Sequence, residues 1–215
     1  RGWSRAELRD VTPAQALDHP TWRMGPLVSV NSSTLFNKAL ELIEASLLFD
    51  LPPDRIEVVV HPQSMVHSMV QFTDGAVIAQ VSVPDMRLPI ALALAWPERL
   101  PGAIGPPDWS ARTAWTFEPV DGETFPAVGF ARAALDASPL HPAVLNAANE
   151  VAVGAFLDGR LDYPGIVETA RAVLDQFAPS SLSDQALSLE SVLAADAWAR
   201  ERAGALAGGP LTRGV

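Results

Sequence analysis

Thr34-Leu35-Phe36-Asn37-Lys38-Ala39-Leu40-Glu41-Leu42-Ile43-Glu44-Ala45-Ser46-Leu47-Leu48-Phe49 is the most strongly periodic stretch of the chain. Leu35, Phe36, Ala39, Leu40, Leu42, Ile43 and Leu47 cover most of a helical circumference. Thr34, Asn37, Lys38, Glu41 and Glu44 fall within roughly 120° of one another. Asn31, Ser32, Ser33 and Thr34 offer capping oxygens at its start, and Pro52-Pro53 stop it. The pattern predicts a helix over 34–49, buried on most sides, with a narrow polar stripe facing a cavity.

Upstream, Thr12-Pro13-Ala14-Gln15 reads as an N-cap followed by Pro at the first helical position. His19-Pro20-Thr21-Trp22-Arg23-Met24-Gly25-Pro26 is a loop punctuated by Pro and Gly. Downstream the period changes to two. Ile56–Val60 is a β-branched run, and Val66–Phe72 and Ala76–Val81 flank Thr73-Asp74-Gly75, a hairpin signal. Ile90–Trp96 is a short helix. Five prolines within 97–124 mark an extended linker. Helices are then predicted over 125–137, 142–158, 163–177 and 188–207, and short connections between four helices suggest a bundle. The expected class is α+β: a catalytic domain over 1–96 with a small mixed sheet and flanking helices, a linker over 97–124, an α-helical C-terminal bundle over 125–207 and a frayed tail over 208–215.

Composition excludes several classes. Of the 215 residues, 48% are apolar and 19% charged, which suits a globular protein with a sizeable core. No run approaches the ~18 consecutive apolar residues of a membrane span. The net charge of −10, without a basic patch, argues against nucleic acid as partner. The absence of cysteine removes disulfides and thiolate chemistry, and a cytoplasmic location fits. No Gly-x-Gly-x-x-Gly fingerprint occurs. The chain opens on Arg1 and reads like a piece of a longer protein.

Two readings of the polar stripe stand on the residues alone. In the first it is a solvated face on which Lys38 and Glu41, three apart, pair with each other. In the second, Ser32, Ser33 and Asn37 place donors at a helix N-terminus, where free N–H groups favour anions. Lys38 then adds a point charge suited to phosphate, and Glu41, one turn deeper, offers oxygen to a hard cation. His61 and His67 lie six apart, which is not a helical metal pair. Asn146-Ala147-Ala148-Asn149-Glu150 suggests close helix packing with amide hydrogen bonds to a neighbouring loop. Trp96, Trp115 and Trp198 are expected anchors of core or domain contacts.

Taken together, Asn31-Ser32-Ser33-Thr34-Leu35-Phe36-Asn37-Lys38-Ala39-Leu40-Glu41, His61-Pro62-Gln63-Ser64-Met65-Val66-His67-Ser68-Met69-Val70, Pro84-Asp85-Met86-Arg87-Leu88-Pro89-Ile90 and Leu145-Asn146-Ala147-Ala148-Asn149-Glu150 resemble the motifs of 1-deoxy-D-xylulose 5-phosphate reductoisomerases, in that family's order and spacing. His19–Gly25 is similar to its flexible loop. The resemblance implies conversion of 1-deoxy-D-xylulose 5-phosphate to 2-C-methyl-D-erythritol 4-phosphate, by skeletal rearrangement and then reduction with NADPH. It implies a divalent cation (Mg, Mn or Co) that polarises substrate oxygens, a place in non-mevalonate isoprenoid biosynthesis, inhibition by fosmidomycin, and a homodimer.

By motif position, Ser32, Asn37 and Lys38 would contact the substrate, chiefly its phosphate, with Lys38 also counted as catalytic. Glu41 would touch the substrate and ligate metal. His19 would hold the substrate and Trp22 would close over it. Gly25 would lie against the cofactor, Met86 would pack near the nicotinamide, and His67 would line the catalytic site. The family's N-terminal NADPH domain, its Asp-Ser-Glu segment with the other two metal ligands, and its Ser-Gly-Gly-Pro-Phe loop find no match here. Ala39 stands where the family usually has Gly, and Ser33 and Phe36 replace residues that are commonly Ala and Met. Two other expectations follow. The chain alone would be an inactive binding and dimerisation module, or it would be an unrelated metal-dependent sugar-phosphate isomerase.

Overall fold

The computed structural model describes residues 2–18, 24–177 and 187–208. His19 and Trp22 lie outside them. Two compact units emerge, Arg1–Val58 with Asp121–Val215, and Val59–Val120. They cut across the expected division at residues 96 and 125.

In the larger unit, α1 (Arg5–Leu8) and α2 (Pro13–Leu17) are single turns closed by capping boxes, Ser4 with Glu7 and Thr12 with Gln15. The Glu7 carboxyl is held below its ordinary range by the backbone and hydroxyl of Ser4. Then come α3 (Pro26–Ser33) and α4 (Phe36–Phe49). The residues read as caps of the long helix are therefore the last turn of a separate helix, begun by Pro26. Leu35, left-handed at φ 62°, breaks the path between the two. Pro53–Arg55 forms a 3-10 turn.

Four helices complete this unit: α6 (Ala127–Ala137), α7 (His141–Leu157), α8 (Tyr163–Gln176) and α9 (Leu189–Leu206). Phe36, Ala39, Leu42 and Ile43 of α4 share one core with Ala131, Ala134, Val144, Leu145, Ala148, Ala170 and Ala199. Alanine at so many contacts lets helix backbones approach closely. The Ala39 methyl is wholly buried in this core. This packing of α4 against α6 and α7, with a second core in which Leu8, Ala16 and Val30 meet Ala152, Phe156 and Ile166, joins residues 1–58 to the bundle. Arg132 of α6 secures the 3-10 turn by donating to the Pro53 and Ile56 carbonyls. Arg200 of α9 bridges Glu150 of α7 (2.7 Å) and Asp196 (2.8 Å), and the Asp196 carboxylate leads in raising its pKa above the ordinary value. Trp198 sits beside Phe177 at 5.1 Å, as an anchor should.

The smaller unit holds β1 (Val59–Val60), β2 (Val66–Gln71), β3 (Val77–Val81), α5 (Arg87–Ala95) and β4 (Glu118–Pro119). Its strands form two antiparallel pairs, β1 with β4 and β2 with β3, rather than one mixed sheet. A direct hairpin is antiparallel by geometry, and here Gly75 (φ 89°) and Asp74, accepting from the Ala76 N–H, shape the turn. The span expected as linker thus contributes a strand. Trp96 is exposed, and Trp115 meets Trp109 at 5.9 Å.

Two measurements probe the core. Phe36→Ala empties a fully buried ring site and should cost about 3–5 kcal/mol in denaturant unfolding. His141 is buried edge-on against Phe177 with Ser138 Oγ 2.7 Å from Nδ1, and burial lowers its pKa. The unfolded chain therefore takes up the proton first. This contribution is complete above the ordinary value of 6.5 and is lost as pH falls below it toward the folded value. His141→Gln should flatten the drop in urea midpoint between about pH 7 and about pH 5.

Candidate functional site

The turn between α3 and α4 gathers four of the predicted residues. Ser32 lies in the last turn of α3 and is half-buried. Leu35 then redirects the chain, so that Asn37 and Lys38 occupy the first turn of α4. The N–H groups of that turn have no acceptor within the helix, and its positive end coincides with the Lys38 charge. Glu41 follows one turn later. Its Oε1 accepts from both Asn37 Nδ2 (2.9 Å) and Lys38 Nζ (2.5 Å). The i, i+3 pairing expected from spacing is present. The stripe is open rather than turned into a cavity, with Lys38 and Glu41 side chains 43% and 50% exposed. Nor is α4 buried along its length, since Leu47, Leu48 and Phe49 are exposed.

Chemically, the arrangement offers a hydroxyl, an amide and an ammonium group to an anion. The ammonium charge is balanced by one carboxylate oxygen. An anion approaching Lys38 competes with Glu41, and any cation drawn to Glu41 relieves that competition.

Gly25, the N-cap of α3, is exposed. His67 and Met86 belong to the smaller unit. His67 occupies the bulge where the β2–β3 register shifts, a device that re-aims a side chain. Its Nε2 lies 3.1 Å from the Ser82 carbonyl, which can only accept, so Nε2 carries the proton. Met86 is exposed at the start of α5. His61 is satisfied structurally: the Thr116 carbonyl takes its Nδ1 proton (2.9 Å), Nε2 accepts from the Met65 N–H, and the ring stacks on Phe117.

Among the described residues, no three His, Asp or Glu side chains converge where a metal ion could sit. Glu41 is a single carboxylate, and a hard divalent cation takes six or more oxygen ligands. The described residues thus do not form a metal centre by themselves. A cavity of about 420 Å³ opens between α1, the 123–126 segment and α8, lined by residues such as Phe130 and Val167. Among the described residues of the predicted site, none lines it, so it lends the site no support.

Sequence reasoning undervalued Asn31 and Asn149. Asn149 Nδ2, in α7, donates to Asn31 Oδ1 at 2.9 Å, both residues being buried. The side-chain hydrogen bond expected of this motif exists, and its partner lies in α3 rather than a loop. The signal was present as an amide in a run of alanines.

The turn that offers donors to an anion is held on a helical bundle, and comparison of this fold with known proteins is specific. A family model described as "DXP reductoisomerase C-terminal domain" matches residues 81–202, and one described as "1-deoxy-D-xylulose 5-phosphate reductoisomerase C-terminal domain" matches residues 1–49. The chain belongs to the 1-deoxy-D-xylulose 5-phosphate reductoisomerase family. Enzymes of that name from Beutenbergia cavernae and an Arthrobacter species are 64% and 59% identical to it, over 98% and 94% of this chain and 53% and 50% of their own lengths. The chain spans about half the length of these curated relatives. Among solved structures, the Zymomonas mobilis reductoisomerase in complex with NADPH superposes with a TM-score of 0.87 at 41% identity, covering 98% of this chain and 53% of the other. A reductoisomerase in complex with NADPH, fosmidomycin and magnesium gives 0.90 at 37% identity, over 97% and 53%.

The exposed Lys38–Glu41 pair is worth little to folding. Glu41→Gln should shift unfolding stability by less than about 1 kcal/mol, measured by chemical denaturation.

Proposed function

We propose that the natural polypeptide carrying this chain converts 1-deoxy-D-xylulose 5-phosphate to 2-C-methyl-D-erythritol 4-phosphate for isoprenoid synthesis. NADPH is the hydride donor, and a divalent cation is the second cofactor. The α3–α4 turn carries the reading: three donors for a phosphate and one carboxylate lie within ten residues, in a chain with family-wide identity. In this reading Ser32, Asn37 and Lys38 hold the phosphate. That grip supplies remote binding energy to orient the reacting carbons. Glu41 contributes one ligand to the cation, whose general chemistry is to polarise substrate oxygens. Its other ligands come from elsewhere, because the described residues supply no cluster.

His67 lines the catalytic site, Gly25 and Met86 face the cofactor, His19 holds the substrate and Trp22 closes over it; these five roles rest on motif position alone. A homodimer and a cytoplasmic location belong to the same reading. Among the described residues, no helix is long and apolar enough to cross a membrane.

NADPH oxidation with the phosphorylated substrate and Mn²⁺ tests the proposal in the natural polypeptide. Lys38→Ala should lower kcat/KM by roughly a hundredfold, about 2.7 kcal/mol of transition-state stabilisation. Glu41→Gln should reduce the metal-dependent rate. Wild-type rates in both variants would refute the assignments. The 215-residue chain by itself should bind without turnover, because its described residues offer a single carboxylate to the metal.

A further inference from the structure

Ser32 sits in a turn gripped from both sides. Before it, Asn31 is buried and bonded to Asn149 of α7. After it, Ser33 Oγ donates to the Val30 carbonyl at 2.8 Å, and on the neighbouring face Tyr163 of α8 meets Phe156 of α7 edge-on at 5.8 Å. Thr34, also buried, donates back to the Val30 and Asn31 carbonyls. Leu35 then turns the chain, which sets where Asn37 and Lys38 begin α4.

An amide is a poor choice for packing alone in a helix lined by Ala147, Ala148 and Ala152. An unpaired buried polar atom costs about 1–3 kcal/mol. Asn149 bears such a loss, since among the described residues its Oδ1 is a buried side-chain oxygen with no partner. Leucine would fill a similar volume and remove that orphan, but would leave Asn31 Oδ1 unpaired in its place. What the amide provides is the bond to Asn31, at a helix end that would otherwise fray.

We infer that Asn149 is a positioning residue for the anion-binding turn: by holding Asn31 it fixes the direction of Ser32 and the start of α4. Asn149 acts through Asn31 and has no contact with the substrate. The inference rests on the reading of Ser32, Asn37 and Lys38 as phosphate ligands. A misplacement near 1 Å costs a site up to about a hundredfold, so even partial loss of the grip should be measurable.

The test uses the natural polypeptide. Asn149→Leu should raise KM for the phosphorylated substrate by roughly tenfold or more. It should weaken inorganic phosphate binding in calorimetry similarly, and leave the melting temperature close to wild type. Asn149→Asp donates to Asn31 only while its buried carboxyl keeps a proton. Its phosphate affinity, relative to wild type at the same pH, should therefore recover as pH falls. A folded Asn149→Leu with wild-type KM and phosphate affinity overturns the inference. Should that variant not fold, an Asn149→Asp ratio that stays flat with pH overturns it instead. Lys38→Ala, run in parallel, separates the failures. If it weakens phosphate binding and Asn149→Leu does not, the positioning role alone falls. If wild type binds no phosphate, the site reading falls and this inference with it.

Discussion

Helix α7 has no exposed residue along its length, and the larger unit is organised by that fact. A helix with no exposed face must be enclosed, and here α3, α4, α6, α8 and α9 do the enclosing. Because α7 and its neighbours meet largely through alanine, the backbones lie close and their relative positions leave little slack. The turn that holds Ser32 and Lys38 is therefore not a loop hung on a scaffold. It is the junction of two helices, each pressed against the central one.

The polar side chains on α7 follow the same logic. Asn146 donates to Glu150 at 3.0 Å, and Glu150 accepts from Arg200 of α9. Asn149, about 100° round the helix from Glu150, reaches Asn31 of α3 instead. Consecutive residues thus tie different neighbours to one helix, with the charged bridge toward the partly solvated side and the neutral amide in the dry one. That partition is what desolvation demands, since an ion pair loses more on full burial than an amide does.

Much of the fold was legible in periodicity. The helices expected over 125–137, 142–158, 163–177 and 188–207 end within two residues of those found, because Pro, Gly and capping residues bound them. The hairpin announced itself through Thr73-Asp74-Gly75. What periodicity missed was non-local or conformational. Nothing in the identity of Leu35 signals a left-handed backbone, so the last turn of α3 reads as capping residues of the 34–49 helix. The pairing of Val59–Val60 with Glu118–Pro119 spans nearly sixty residues and leaves no mark in either two-residue strand. For the site, the Lys38–Glu41 pair followed from spacing. Its exposure did not, because a helical wheel does not tell an absent neighbour from a cavity.

Leu35 also bears on how this region can vary between relatives. A non-glycine residue at φ 62° is uncommon, and β-branched residues tolerate that conformation worst. Substitution there is filtered by backbone geometry rather than side-chain chemistry: Gly or Asn would pass where Ile or Val would not. A half-buried leucine with no part in binding can thus be as constrained over generations as the lysine three residues on. Which residues can stand there is set by the turn's shape rather than by its ligand.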